Sequence, residues 1–551
     1  MNASRVMNKL LAIAFAVALP LSAHAELKLP GIISDHMMLQ QKIMNRLWGW
    51  DLPGTQVTVN FAGQTKSSEA GSNGRWEVQL DPMFANATPQ VLSVIGTTRR
   101  EIQDVLVGEV WMCSGQSNMQ FALGGDFKGD LEAAAANLPQ LRLLRVPTVG
   151  SQDLQDDIFV PKNLQPDSVL GRWGASTPES AKSFSAVGFY FGRYLHQILG
   201  VPVGLIDNSW AGSRAEAWIR RDSLEKDSRF KPLMDSAAKK EAEMQSEEVK
   251  LSYETQFSKW KTDVETLKKI GLKPGQQYPR QPSSPNLWLL GNARPGNIFA
   301  GSVHPTLGYG IKGVIWYQGE SNAGRAWEYR DLFPFMIEQW RKEWQQGDFS
   351  FYWVQLADFM AEKSEPSDST WAELREAQTR ALRLPNTGQA VIIDLGEGKE
   401  IHPKNKHDVA ARLARWALVK DYGQTFSYRS PEFLSMALTG NRAIITFDMF
   451  GGKLRPFDVG QPRGFTICGD DQIWHNATGR ILGDDRIALW SDKAPKPTAV
   501  RYAWADNPVG NLFNDRGLPM TPFRTDDFEL ITNPILPQES GQLKIEEPPQ
   551  K

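Results

Sequence analysis

Cysteine is scarce in this chain: only Cys113 and Cys468 occur among 551 residues. A scaffold built on disulfides is excluded. A chain of this length buries enough core to need no staple, so both are read as free, buried thiols. Neither a Cys-x-x-Cys pair nor a His-Glu-x-x-His helix is present, and there is no Walker loop and no dinucleotide glycine fingerprint. No metal and no cofactor is therefore expected. Net charge is lacking too, with 61 basic against 63 acidic side chains leaving −2. Such a balance shows no footprint of a nucleic-acid partner. Long apolar runs are missing except near the start. There Arg5 and Lys9 precede an apolar stretch from Leu10 to Leu21, and Ala23-His24-Ala25 offers a small-x-small cleavage site. Residues 1–25 read as a secretory signal peptide, too short to span a bilayer. No cysteine follows to carry a lipid. The mature chain is expected to be exported, periplasmic or extracellular, without membrane insertion.

The length calls for several domains, since one core rarely serves more than about 250–300 residues. Residues 26–103 alternate apolar and polar side chains, as in Gln56–Phe61 and Arg75–Leu80, between turns such as Pro53-Gly54 and Ser72-Asn73-Gly74. This predicts a small β-sandwich. From 104 to 424 strands and helices alternate. Strands are expected at 105–112, 141–146, 202–208, 312–317, 350–356 and 389–394, and helices at 184–199, 327–344, 370–383 and 405–420. The pattern implies α/β architecture, a parallel sheet covered on both faces. Residues 221–272 interrupt it with a charged stretch rich in Glu, Lys, Ala and Met, which reads as a solvated helical insertion. Short strands return over 425–536 and predict a second β domain. The polar stretch 537–551 reads as a flexible tail.

Ligands of a parallel sheet sit outside the carboxyl ends of its strands. Four polar clusters fall at such ends: Ser117 after the first strand, Asn208–Arg214 after the third, Gln318–Asn322 after the fourth and Glu400–Pro403 after the last. Ser117 lies in Gly115-Gln116-Ser117-Asn118-Met119, just past the apolar run Val105–Met112. A serine in a glycine-relieved turn at a strand end can be exposed beside a backbone N–H, as a nucleophile needs. Met119 stands where an α/β-hydrolase elbow has its second glycine, so a different hydrolase architecture is indicated. The histidines sort by position. His24 belongs to the signal, His36 and His475 to the β domains, His196 and His407 to helices, and His304 precedes a strand. Only His402 falls in the last strand-to-helix loop, where a base reaches Ser117. Cys113, inside the apolar strand end, is read as packing.

Cys113–Met119, Trp316-Tyr317-Gln318-Gly319-Glu320-Ser321-Asn322 and Ile401-His402-Pro403-x-x-Lys406 resemble the sialate O-acetylesterase family. That family belongs to the SGNH/GDSL-like hydrolases and is related to carbohydrate esterase family 6. Ser34–Gln40, Asn511–Asn514, Gly517-Leu518-Pro519 and Pro522-Phe523-Arg524 resemble its terminal signatures, so the likeness covers nearly the whole mature chain. It implies a flavodoxin-like SGNH domain that removes O-acetyl groups from sugars. Ser117 is then the nucleophile and His402 its base. The backbone N–H groups of Ser117 and Gly212 and the side-chain amide of Gln318 would form the oxyanion hole. Two positions depart from the family pattern. Lys399 stands where an aspartate precedes the histidine, leaving Glu400, Asp394, Glu320 or a backbone carbonyl to orient His402, with Glu400 preferred. Ala211-Gly212-Ser213 replaces Gly-Gly-Thr. Arg214 is the candidate for gripping a sugar carboxylate, with Asn322 as a second substrate-binding candidate. An O-acetylated sugar, foremost O-acetyl sialic acid, is the expected partner. Acetylxylan is the alternative substrate, and a non-catalytic carbohydrate-binding scaffold the alternative class. The sequence leaves the oligomeric state open.

Overall fold

The computed structural model describes residues 26–165, 168–273 and 276–534. The expected signal peptide and the tail from 537 lie outside the described residues. The fold is organised by one 17-residue strand, β1 (Arg99–Gly115). Its first half pairs antiparallel with Asn86–Ile95 and parallel with Met38–Gln40, within the N-terminal β region. Its second half runs down the centre of the large, mostly parallel sheet. The expected boundary at 103–104 falls inside this strand. There Asp104 takes a left-handed φ of 55° and accepts two hydrogen bonds from Arg142, at 2.6 and 2.8 Å.

The remaining strands of that sheet are β2 (Leu138–Arg145), β3 (Gly174–Ser176), β4 (Val203–Ser209), β5 (Gly313–Tyr317), β6 (Ser350–Val354) and β7 (Thr387–Ala390). Their spatial order is β7-β6-β5-β1-β4-β2-β3. All neighbours are parallel except the edge strand β3. Strands buried on both faces read as continuous apolar runs. Every residue of β1 from Val105 to Gly115 is buried, as are all of β4, β5 and β6. On β5, Val314 and Trp316 enter one core while Ile315 and Tyr317 enter the other. The first core is closed by a helix, α5 (Ala326–Trp344), through Phe333, Met336 and Trp340. The second is closed by α2 (Ala186–Leu199), through Val187, Phe191 and Leu195, and by α7 (Lys406–Lys420), through Val409, Leu413 and Trp416. This is a doubly wound α/β sheet, as the alternation of strands and helices predicts.

One strand is shorter than its pattern suggests. Residues 391–393 stay buried, but Val391 and Ile393 leave the sheet to pack with Ile445, Phe447 and Val500 of the C-terminal β region. Tertiary burial replaces the sheet's own layer there. That region holds two four-stranded antiparallel-paired sheets. Arg375 of α6 (Thr370–Arg380) fastens it to the parallel sheet by donating to the carbonyls of Leu356, Ala357, Ala505 and Asp506. The insertion is helical, with Arg221–Lys226 followed by α3 (Lys231–Gln245) and α4 (Glu247–Ile270). None of α4 is buried, in keeping with its charge. Both cysteines are free and buried. Among the described residues no helix is long and apolar enough to cross a membrane.

Candidate active site

The register levels three strand ends. Ser209 of β4 and Tyr317 of β5 both lie opposite Gly115 of β1, so the loops after these strands emerge side by side. Gly115 makes the turn possible. Its φ is 136°, and a Cβ there would lie 2.2 Å from the Tyr317 carbonyl oxygen. Only glycine fits. The chain then enters α1 (Ser117–Gln120), whose first N–H groups have no carbonyl within the helix to bond. Ser117 is partly accessible, while Gln116, Asn118 and Met119 around it are buried.

Three side chains flanking Ser117 each reach a different loop. Gln116 Oε1 accepts from the N–H of Gly319 (3.3 Å) and of Ser321 (3.4 Å), bracing the loop after β5. Gln120 Oε1 accepts from the Ala211 N–H at 3.0 Å, bracing the loop after β4. Asn118 Nδ2 donates to the Ile401 carbonyl at 3.0 Å and to Glu320 Oε1 at 2.6 Å, bringing in the loop of His402. Phe121 stacks on the His402 ring, with centroids 6.5 Å apart. The structure thus gathers all four polar clusters around one serine. The sequence reading assigned no role to Gln116, Asn118 or Gln120. The signal available was the density of amide side chains around Ser117, at Gln116, Asn118 and Gln120.

His402 turns Nδ1 to Glu400 Oε1 at 3.1 Å, and the same oxygen accepts from the His402 backbone N–H at 3.0 Å. This leaves Nε2 for the substrate side. Of the other acids, Asp394 is held by Arg412 through bonds of 2.6 and 2.7 Å and is not directed at His402. Glu320 lies beneath the site, with Oε2 buried and without a hydrogen-bond partner among the described residues. Burial pushes its carboxyl up, against the pull of its own N–H, of Asn118 and of the Lys406 and His402 charges. Lys406 is fully buried, and its Nζ donates to Asn118 Oδ1 at 2.5 Å. Burial pulls its amine down to about 7. Cys113 is no competitor for Ser117, because burial and then nearby Asp207 push its thiol well up, disfavouring the thiolate.

Gly212 sits at φ 68°, exposed, and its N–H has no partner among the described residues. Gln318 requires a correction. It is fully buried, Nε2 donates to the Ser213 carbonyl (3.2 Å) and to Asn322 Oδ1 (2.8 Å), and Oε1 accepts from Tyr329 (2.9 Å). An amide whose two protons are engaged inside the protein does not face an oxyanion. Asn322 is corrected likewise. Its Oδ1 accepts from Gln318 and from the Ala215 N–H (3.0 Å), and Nδ2 donates to Glu216 (3.0 Å), so it braces the rim and does not meet substrate. Arg214 is exposed, and nearby Glu216 is paired with Arg325 at 2.5 Å. Arg214 opens a cleft of about 680 Å³ that Trp288, Trp327 and Leu233 also line. Among the described residues no cluster of three or more His, Cys, Asp or Glu is placed to hold a metal.

An accessible hydroxyl, an imidazole backed by a carboxylate and unpaired backbone N–H groups, gathered at the carboxyl rim of a doubly wound sheet, are the apparatus of an ester hydrolase. Residues 300–418 match the family model described as carbohydrate esterase, sialic acid-specific acetylesterase. The chain is 30% identical to the sialate O-acetylesterase of Pongo abelii over 529 residues, covering 88% of this chain and 89% of that one. It is 29% identical to the mouse (Mus musculus) sialate O-acetylesterase over 537 residues, covering 88% and 91%. A carbohydrate acetylesterase from Xanthomonas citri, solved by crystallography, superposes with a TM-score of 0.74 at 36% identity, covering 91% of this chain and all of the other. The chain belongs to the sialate O-acetylesterase family of carbohydrate esterases.

Proposed function

We propose that the protein is an exported serine esterase that removes O-acetyl groups from carboxylated sugars, O-acetyl sialic acid foremost. His402 Nε2 takes the Ser117 proton as the oxygen attacks the acetyl carbonyl. The developing oxyanion meets the N–H groups of Ser117 and Gly212. The imidazolium, steadied by Glu400, returns its proton to the departing sugar hydroxyl, and water repeats the cycle on the acetyl-enzyme. Export rests on the sequence of residues 1–25 and is tested by following cleavage after Ala25 in the secreted fraction.

The observation that carries the substrate class is Arg214. Of the cations lining the cleft, Arg229, Lys240 and Arg325 each form a direct ion pair with a carboxylate, whereas Arg214 forms none among the described residues and feels Glu216 and Glu328 only through space. A guanidinium without a direct ion pair beside the oxyanion loop suits forked pairing with a sugar carboxylate. Arg214→Ala should raise KM for O-acetyl sialic acid about tenfold or more, the scale of one charge-assisted hydrogen bond, and spare p-nitrophenyl acetate. Equal loss on both substrates overturns the assignment. Trp288 and Trp327 in the same cleft favour a second reading, a neutral acetylated polysaccharide such as acetylxylan, through ring stacking on sugar faces. Acetate release from acetylxylan that exceeds release from O-acetyl sialic acid, with Arg214→Ala unaffected, decides for it.

A further inference from the structure

Beneath Ser117 and His402 lies a buried polar network that the reaction described above does not use. Lys406 opens α7, four residues past His402. Its Nζ lies 5.0 Å from the Phe121 ring centroid and 5.2 Å from that of Tyr317, and donates to Asn118 Oδ1. Its backbone N–H donates to Asp126 Oδ1 at 2.9 Å. Asn118, the residue after Ser117, passes the link to Glu320 and to the carbonyl of Ile401, the residue before His402. One side chain thus joins the nucleophile's turn to the base's loop, and one buried cation holds it. The carboxylates acting on Lys406 are Glu320 from the loop after β5, Asp126 beyond α1, and Glu397 and Glu400 from the His402 loop. Those known to act on His402 are Glu400, through a hydrogen bond, and Glu320, through space. A lone buried ammonium is costly unless it is paired, so these acids retain the cation and the cation retains them.

We propose that Lys406 is a positioning residue for acyl transfer: through Asn118 it fixes Ser117 against His402. The inference rests on Ser117 and His402 being nucleophile and base.

The experiment compares Lys406→Met, Glu320→Gln and Asn118→Ala in the full chain, with p-nitrophenyl acetate across pH and with fluorophosphonate labelling of the serine. Lys406→Met and Asn118→Ala should lower kcat and the labelling rate about 10–100-fold with KM within about twofold, the signature of a misplaced reacting pair. Glu320→Gln keeps an acceptor for Asn118 and a near-identical shape, so it should stay close to the parent in kcat. Asn118→Ala decides the proposal even if Lys406→Met does not fold: an unchanged kcat and labelling rate in this variant overturn it, and so does a rise in KM at unchanged kcat. Ser117→Ala serves as the control for the underlying reading. If that variant keeps its activity, the serine assignment fails; if it is inert while Asn118→Ala reacts at the parent rate, only the present inference fails.

Discussion

Replacing Glu400 by glutamine isolates what the carboxylate behind His402 contributes. Glutamine keeps an acceptor for Nδ1 and for the His402 backbone N–H, so the tautomer and ring orientation survive and only the charge is lost. The magnitude follows from exposure. The side chains of His402 and Glu400 are 35% and 49% accessible, so water screens their attraction. Two unit charges about 4 Å apart interact by roughly 1 kcal/mol at the dielectric of water and roughly 4 kcal/mol near a protein surface. Exposed pairs measure at the low end. A transition-state loss of about 1–2 kcal/mol corresponds to a fall in kcat of roughly 5–30-fold. That is far below the ~10⁴-fold measured when the buried acid of a serine protease triad is neutralised. Kinetics on p-nitrophenyl acetate at saturating pH give the number. A fall of 10³-fold or more would refute the screened-pair reasoning and require Glu400 to close against His402 in the working enzyme. No change at all would show that His402 is oriented by something else.

Ser117→Ala should lower kcat/KM on the order of 10³-fold or more with an unchanged melting temperature, and fluorophosphonate attachment at Ser114 or Cys113 in its place would reassign the nucleophile. Gln318→Ala should act mainly on stability, because it leaves Tyr329 Oη and the Ser213 carbonyl without partners in the core and costs Asn322 Oδ1 one of its two donors. A loss of about 2–4 kcal/mol in denaturant unfolding is expected, and a stable variant with a 10²-fold lower kcat would restore Gln318 to the oxyanion hole. Asp207 is buried, and burial raises its carboxyl to about 6 despite Arg145 and Ser209. The folded state therefore binds its proton more tightly than the unfolded chain, and this group's contribution to stability falls as pH rises from about 4 to 6. Asp207→Asn should stabilise the protein above pH 6, by roughly 1–3 kcal/mol, and destabilisation there would show that the pairing with Arg145 outweighs the burial cost.

Much of the fold was legible in the sequence because a parallel sheet declares itself locally. Apolar runs such as Val105–Met112 and Gly313–Tyr317 are the signature of strands covered on both faces, and the amphipathic stretches between them supply the covering helices. The four rim clusters followed from the same logic, since a strand's carboxyl end is fixed by its direction. The departures came where distant segments compete for one residue. Val391 and Ile393 read as strand, yet the C-terminal β core takes them. Glu320, Asp394 and Glu400 are indistinguishable as letters, and Arg412 together with the path of one loop separates them. Gln318 and Asn322 looked like substrate contacts because they are polar residues at a strand end, but whether an amide faces a ligand or a neighbouring carbonyl depends on partners a hundred positions away. Residue order along the chain determined which strands build the sheet and which polar clusters fall at their carboxyl ends. Only the packed structure decided which polar groups are left free, because hydrogen bonds and burial are shared among segments that the sequence keeps apart.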